Sequence, residues 1–411
     1  MSDVTQQEQQ EKKPAKILLR ELQAKVGQDV WDAKNRGEKI GWIASNFPQE
    51  IPTTMDIKVA FPENQGAAIA ARGGGVRMCE YAEGMGYSPD LCSYARINFA
   101  YTEQKEIPEE NIPMPDFLLC CNNICNCMIK WYENLAVELD IPLIMIDIPH
   151  LDEYECDDDR VKYIRAQFDD CIKQLEEITG KKWDENKFKE VMDISQRSSQ
   201  AWLRAVDYAR YTPSPYSGFD IFNHMAIACV ARGTVEAAEA FEALADEFDA
   251  LAKEGKSTFK GEEKYRVLFE GIACWGNLKH NFVTLRDQGI NVTALVYGPA
   301  FSFLHSNVNE LMAAYSYVPN SNCLEREVEM RVNEGRNHKI DGAVIHVNRS
   351  CKNWSGKTYE LERRLQKELG IPTMTFDGDQ ADPRNFSEAQ FETRVAGLVE
   401  IMEQNKAKEA K

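Results

Sequence analysis

The chain has 411 residues, 43% hydrophobic and 28% charged, with 66 acidic against 48 basic side chains and a formal charge of −18. That length exceeds one comfortable core and implies two or three domains, and the acidic balance argues against a broad nucleic-acid footprint, which needs a basic field. No stretch reaches 18 consecutive apolar residues and no apolar signal core opens the polar start MSDVTQQEQQEKKPAK, so no membrane span and a cytoplasmic location are expected. In that compartment the twelve cysteines are expected to be free, buried or metal-bound rather than paired.

After a frayed start, residues 17–36 read as a helix. KIGWIASNF (39–47) reads as a short strand entering a loop, and IKVAFP (57–62) as a second strand before a helix over Gln65–Arg72 that the glycines 73–75 end. YSPDLCSYAR sets Cys92 where a turn enters a helix. DFLLCC (116–121) is a buried strand, the asparagines after it a loop, MIKWYENLAVELD a helix, and IPLIMIDIP (141–149) another strand. This β-loop-α-β unit implies a parallel sheet covered by helices.

Further on, Ile164, Phe168, Cys171 and Leu175 recur at intervals of four, three and four, one face of an amphipathic helix on which Cys171 is a packing residue. Residues 185–208 and 234–254 read as helices, with the Ser/Pro/Gly-rich stretch 213–221 as a turn between them. Near the end the first pattern returns: GAVIHVN (342–348) as strand, RSC as loop, TYELERRLQKELG (358–370) as helix and IPTMTFDGD (371–379) as strand. Ser387 and Gln390 then form a capping-box pattern opening a helix to about residue 403. The fold class is therefore α/β, with two Rossmann-like parallel-sheet domains at 17–158 and 291–411 and a mostly helical region at 159–290.

LLCCNNICNCMIKW packs Cys120, Cys121, Cys125 and Cys127 into eight positions. Cys120 and Cys121 end a strand, where neighbours face opposite sides, so at least one is expected in packing. The spacing suits a zinc knuckle poorly, and four inert core thiols remain an alternative. A distributed site fits better: Cys92, Cys125 and Cys351 each stand in loops of the kind that carry sites in parallel α/β folds. Cys79 competes with Cys92, and Cys274 is a weaker competitor.

GWIASNFPQEIP, FPENQGAAIAARG, CCNNIC followed by IKWYE, IPLIMID, GEEKYR, NRSCK and FDGDQADPRNFSEAQ together resemble the alpha subunit of the 2-hydroxyacyl-CoA dehydratases over residues 17–403. Benzoyl-CoA reductase subunits are more distant kin. The resemblance implies a 4Fe-4S cluster between domain loops, held by Cys92, Cys125 and Cys351, with one iron open to water or the substrate's thioester oxygen. It implies a homologous beta subunit carrying a second cluster, and a separate ATP-dependent iron-sulfur activator that injects one low-potential electron. The lack of a GxxxxGK loop agrees with ATP being used elsewhere.

The implied reaction converts an (R)-2-hydroxyacyl-CoA, with lactoyl-CoA and phenyllactoyl-CoA as candidates, into an (E)-2-enoyl-CoA through a ketyl radical anion. One electron on the thioester carbonyl lets the neighbouring hydroxyl leave and renders the β proton acidic. Ser45 and Glu63 match the family's active-site serine and glutamate. Read without the resemblance, Ser45 is a helix cap and Glu63 a turn residue. His150 reads as a surface histidine, His346 as a satisfied strand group, and Asp377 and Asp379 as Asp-Gly turn residues. Arg72, Arg77, Lys264 and Arg266 are unassigned candidates for CoA phosphates, and Gly276 and Asn277 in GIACWGNLKH weigh slightly toward a small substrate. The competing functions are a benzoyl-CoA-reductase-like subunit that consumes its electrons, and a non-catalytic electron-transfer or scaffold subunit.

Overall fold

A computed structural model describes residues 13–409; the first twelve residues of the expected frayed start lie outside them. Helix α1 (Ala15–Asn35) leads to β1 (Gly41–Ile43), α2 (Glu50–Thr54), β2 (Val59–Ala60), α3 (Pro62–Ala71), α4 (Gly75–Gly84) and α5 (Ser93–Gln104). Strand β3 (Phe117–Cys121), α6 (Asn126–Leu139) and β4 (Leu143–Ile146) follow. The four strands form one parallel sheet in the order β2-β1-β3-β4. Every residue of β3 is buried, as expected where helices cover both faces and the sequence reads as an unbroken apolar run.

The helical section comprises α7 (Asp158–Thr179), α8 (Glu185–Asp207), α9 (Gly218–Val230) and α10 (Val235–Lys253). Ile164, Phe168, Cys171 and Leu175 are buried together on α7, the face their spacing predicts. The expected turn over 213–221 ends at Ser217; Gly218 to Ile221 already belong to α9, which the Ser/Pro/Gly composition conceals.

Strand β5 (Tyr265–Glu270), α11 (Leu278–Asp287), β6 (Ile290–Ala294), α12 (Val308–Ser316) and α13 (Leu324–His338) come next. Then β7 (Gly342–Asn348), α14 (Lys352–Ser355), α15 (Thr358–Leu369), β8 (Thr373–Gly378) and α16 (Glu388–Glu409) complete the chain. Their strands pair in parallel as β6-β5-β7-β8, the same order as the first sheet. Strand β5 falls inside the 159–290 stretch, so the second sheet draws on residues the sequence reads as mostly helical.

The two halves are stitched together. Leu19 and Leu22 of α1 pack into the core under the second sheet, while Val30 and Ala33 pack under the first. The glycines after α3 serve a close approach: a Cβ on Gly75 would sit 2.1 Å from the carbonyl oxygen of Ala381, which no side chain tolerates. No helix of the described residues is long and apolar enough to cross a membrane.

Candidate active site

Strand order 2-1-3-4 creates a switch point between the first and third strands, and parallel sheets bind ligands beyond the carboxyl ends of strands there. Here the loops after β1 and β3 carry Ser45 and Cys125, and those after β5 and β7 carry Trp275 and Cys351. All four line one cavity of about 300 Å³, together with Glu63 and Cys92. A second cavity of about 830 Å³ shares Cys92, Cys125, Cys127 and Cys351 with it.

Cys92, Cys125 and Cys351 each occupy the N-cap of a helix, α5, α6 and α14 respectively. None of the three sulfurs accepts a capping hydrogen bond from its own helix. The Cys127 side chain beside it, then burial, raise the Cys92 thiol well above its ordinary value. Burial, reinforced by Cys351 and Cys92, raises Cys125, and burial raises Cys351 to about 12. Such thiols keep their protons until a cation replaces them, since a coordinating thiol is deprotonated outright.

The thiol loops are tied to one another. Ser93 N–H donates to Ser350 Oγ at 3.1 Å, and Asn353 Nδ2 donates to the carbonyl of Ile124 at 2.6 Å. Gln380 Nε2 donates to Cys92 Sγ at 3.2 Å, and Ser93 Oγ to Asp379 Oδ1 at 2.5 Å. Asp379, which the sequence reads as a turn residue, therefore fastens α5 to the loop after β8.

Among the described residues no three His, Cys, Asp or Glu side chains stand close enough to hold a single metal ion. A closed zinc site needs its ligands about 2.3 Å from one point. Three thiols from separate helix N-termini around one cavity instead suit a polynuclear iron-sulfur centre, whose irons take cysteine thiolates around a larger body.

Glu63 sits in the first turn of α3, which Pro62 opens at the first helical position. Its Oε2 accepts from the Ser45 N–H at 2.9 Å. Part of Glu63 stays accessible from within the cavity, but protein surrounds the carboxyl, and desolvation raises its pKa to about 7 against the pull of hydrogen bonding from Ser45. Ser45 caps no helix: it lies in the loop between β1 and α2.

Other sequence candidates fall elsewhere. Cys79, Cys120, Cys121 and Cys274 are buried and line neither cavity. Cys274 instead lies 3.3 Å from His346 Nε2, and His346 Nδ1 meets the carbonyl of Ile272 at 2.6 Å, the satisfied core group its strand position suggests. His150 is exposed, though it borders the larger cavity. Cys127 lines both cavities beside Cys92. Arg266 spends its guanidinium on Glu263 at 2.7 Å and on the carbonyls of Ala209, Tyr211 and His338. Arg72 and Arg77 pair with Glu110 and Glu109. Gly276 faces the Ala70 carbonyl and Pro383 and does not line the cavity, so it gives no support to a smaller substrate.

One residue with no sequence signal proves central to the geometry. Arg232, 2% exposed, donates to the Ser45 carbonyl at 3.3 and 3.4 Å and to the Phe47 carbonyl at 3.2 Å, with its guanidinium 4.3 Å from the Phe303 ring centre. Gln49 Nε2 also reaches the Ser45 and Cys229 carbonyls. The loop bearing Ser45 is thus clamped from behind while its N–H faces Glu63.

The family model described as 2-hydroxyglutaryl-CoA dehydratase, D-component, matches residues 44–402. The chain is 62% identical over 390 residues to the (R)-phenyllactyl-CoA dehydratase alpha subunit of Clostridium sporogenes, covering 95% of this chain and 96% of that one. It is 48% identical over 400 residues to the (R)-2-hydroxyisocaproyl-CoA dehydratase alpha subunit of Clostridioides difficile, covering 96% and 98%. Against the (R)-2-hydroxyglutaryl-CoA dehydratase subunit alpha of Acidaminococcus fermentans the identity is 44% over 471 aligned positions, covering 97% and 99%.

Proposed function

The chain belongs to the 2-hydroxyglutaryl-CoA dehydratase D-component family, and on that premise we propose that it is the alpha subunit of an (R)-2-hydroxyacyl-CoA dehydratase releasing an (E)-2-enoyl-CoA. The observation that carries the reading is the Ser45–Glu63 pair facing the same cavity as three N-cap thiols. We assign Cys92, Cys125 and Cys351 as the ligands of a 4Fe-4S cluster. When bound, that group supplies one low-potential electron and a Lewis-acidic iron beside the thioester.

The protein's own part is proton handling and enclosure. Water leaves when the C2 hydroxyl gains a proton and the β carbon loses one. A single carboxyl that gives its proton to the departing hydroxyl and then takes the β proton returns to its starting state each turnover. Glu63, with a pKa of about 7, is suited to both directions at neutral pH. Ser45, fixed by its N–H to Glu63 and by its carbonyl to Arg232, holds the carboxyl and offers its hydroxyl to the substrate oxygen. Phe222, Ile272, Trp275, Tyr297, Phe301 and Trp354 give the cavity an apolar wall that keeps water from the radical. Those rings favour an aryl or branched acyl chain over the single methyl of a lactoyl group, so phenyllactoyl-CoA is the preferred candidate.

The catalytic unit is a cytoplasmic heterodimer with a homologous beta subunit that carries a second cluster, charged by an ATP-dependent iron-sulfur activator. The runner-up is a benzoyl-CoA-reductase-like subunit. Assembled anaerobically and charged with one electron, the dehydratase yields many enoyl-CoA molecules per electron; two electrons consumed per reduced product supports the reductase instead.

A further inference from the structure

A third cavity, of about 540 Å³, opens beside the same helices that wall the thiol-lined one. Helix α9 gives Phe222, Asn223 and Ala226 to the catalytic cavity and Phe219 and His224 to this one. Helix α11 gives Leu278 to the first and Lys279, Phe282 and Arg286 to the other. On α1, Gln23 borders the first and Lys16 the other. Residues seven apart share a helix stripe about 10 Å in length. The Phe282 ring stands 5.9 Å from Phe222 and 5.6 Å from Phe219, bridging the two walls.

The third cavity concentrates positive charge in a chain of net charge −18. Lys16, Lys260, Lys279 and Arg286 line it, and among the described residues the three lysines have no side-chain hydrogen bond or ion pair. Two acids also line it, outnumbered by the four cations: Asp220 accepts from Ser217 Oγ at 3.0 Å, and Glu247 from the Ala15 N–H at 2.7 Å. Arg286 pairs with Asp287 at 2.7 Å. Half-buried Phe219, Phe259 and Phe282 supply flat apolar faces. Aromatic faces flanked by cations suit a planar base carrying phosphates.

Reach agrees. The C-terminal end of α9 abuts the reaction centre, because the Cys229 carbonyl is held by Gln49 and Arg232 holds Ser45. From Cys229 back to Phe219 the helix rises about 15 Å. A pantetheine arm of about twelve bonds spans roughly 14 Å at the reach of an extended chain.

We propose that the third cavity binds the phosphorylated adenosine end of the CoA thioester, with Lys16, Lys260, Lys279 and Arg286 facing its phosphates and the pantetheine arm running along α9 to Glu63. The thioester part rests on the dehydratase reading; binding of the nucleotide end does not. The test compares the assembled enzyme with its Lys260→Glu/Lys279→Glu variant, both side chains being exposed. Calorimetry with free CoA should show at least about a tenfold weaker Kd in the variant, and a shallower salt dependence. KM for a 2-hydroxyacyl-CoA should rise in parallel, whereas the same acid carried on pantetheine alone should show a KM within about twofold of the wild type.

Equal CoA affinity in both proteins, or no CoA binding by the wild type, overturns the proposal. So does an equal loss for the CoA and pantetheine thioesters, which marks general damage. Should the wild type bind CoA, the variant lose it and neither dehydrate, the dehydratase reading fails while this site stands.

Discussion

The backbone N–H of Ser45 donates to Oε2 of Glu63 at 2.9 Å, joining the loop after the first strand to the first turn of a helix. One partner is rigidly placed by the buried Arg232 behind it; the other is a carboxyl whose ionisation is balanced near neutrality. The pair forms only on folding, from a serine and a glutamate of bland sequence context.

Glu63→Gln removes the proton carrier while keeping the shape. The expected result is a fall in kcat of about 100-fold or more. Because the hydroxyl leaves before the β proton becomes acidic, the carboxyl must start each turnover protonated, so wild-type activity should fall as pH rises through about 7, and the variant should lack that limb. Linkage gives a separate signature. A carboxyl raised from 4.5 to about 7 on folding binds its proton more tightly in the native state, so its contribution to stability weakens as pH rises across that window. Denaturant melts should show a smaller loss of stability from pH 5 to 8 in Glu63→Gln than in the wild type.

Arg232 acts through Ser45. Arg232→Met leaves the Ser45 and Phe47 carbonyls short of donors in a buried setting, at a cost of about 2–4 kcal/mol in urea melts. Because the Ser45 N–H then loses its fixed aim, the pH limb assigned to Glu63 should shift upward as well, which a general loss of stability does not produce. Arg232→Lys, unable to span both carbonyls, should recover only part of either effect.

Ala226 stands on α9 among the cavity-lining residues, one turn from Phe222. Ala226→Phe fills space the acyl side chain needs. Phenyllactoyl-CoA turnover should drop about 10- to 100-fold in kcat/KM while lactoyl-CoA is affected less, on the scale of pocket discrimination by a few methylenes. A uniform loss for both substrates contradicts the placement of the side chain there.

Much of this was legible in the residues. The repeated strand, cysteine loop, helix and strand predict both halves, because β3 and β7 are nearly all apolar and buried on both faces. Strands β5 and β6 were not: YRVLFE carries Arg266 and Glu270 inside a fully buried strand, paired with Glu263 and Arg331 through contacts no periodicity reveals. Helix α9 begins behind a Ser/Pro/Gly run that reads as turn. The three thiols were identifiable as candidates because Cys92 stands where a turn enters a helix and Cys125 and Cys351 stand in loops after strands, but their common cavity depends on ties such as Ser93 to Ser350, 257 positions apart. Arg232 left no trace at all, since its partners are backbone carbonyls, which have no residue signature.

Iron retention tests the central claim most directly. The anaerobically reconstituted heterodimer is analysed for iron and sulfide, and by EPR after reduction, with Cys92→Ser, Cys125→Ser and Cys351→Ser set beside Cys156→Ser, which lines neither thiol cavity. Each of the first three should lose about half of the heterodimer's iron, the share of one cluster of two, and Cys156→Ser should lose none. Full iron and an unchanged spectrum in any of the three cavity variants would contradict the assignment.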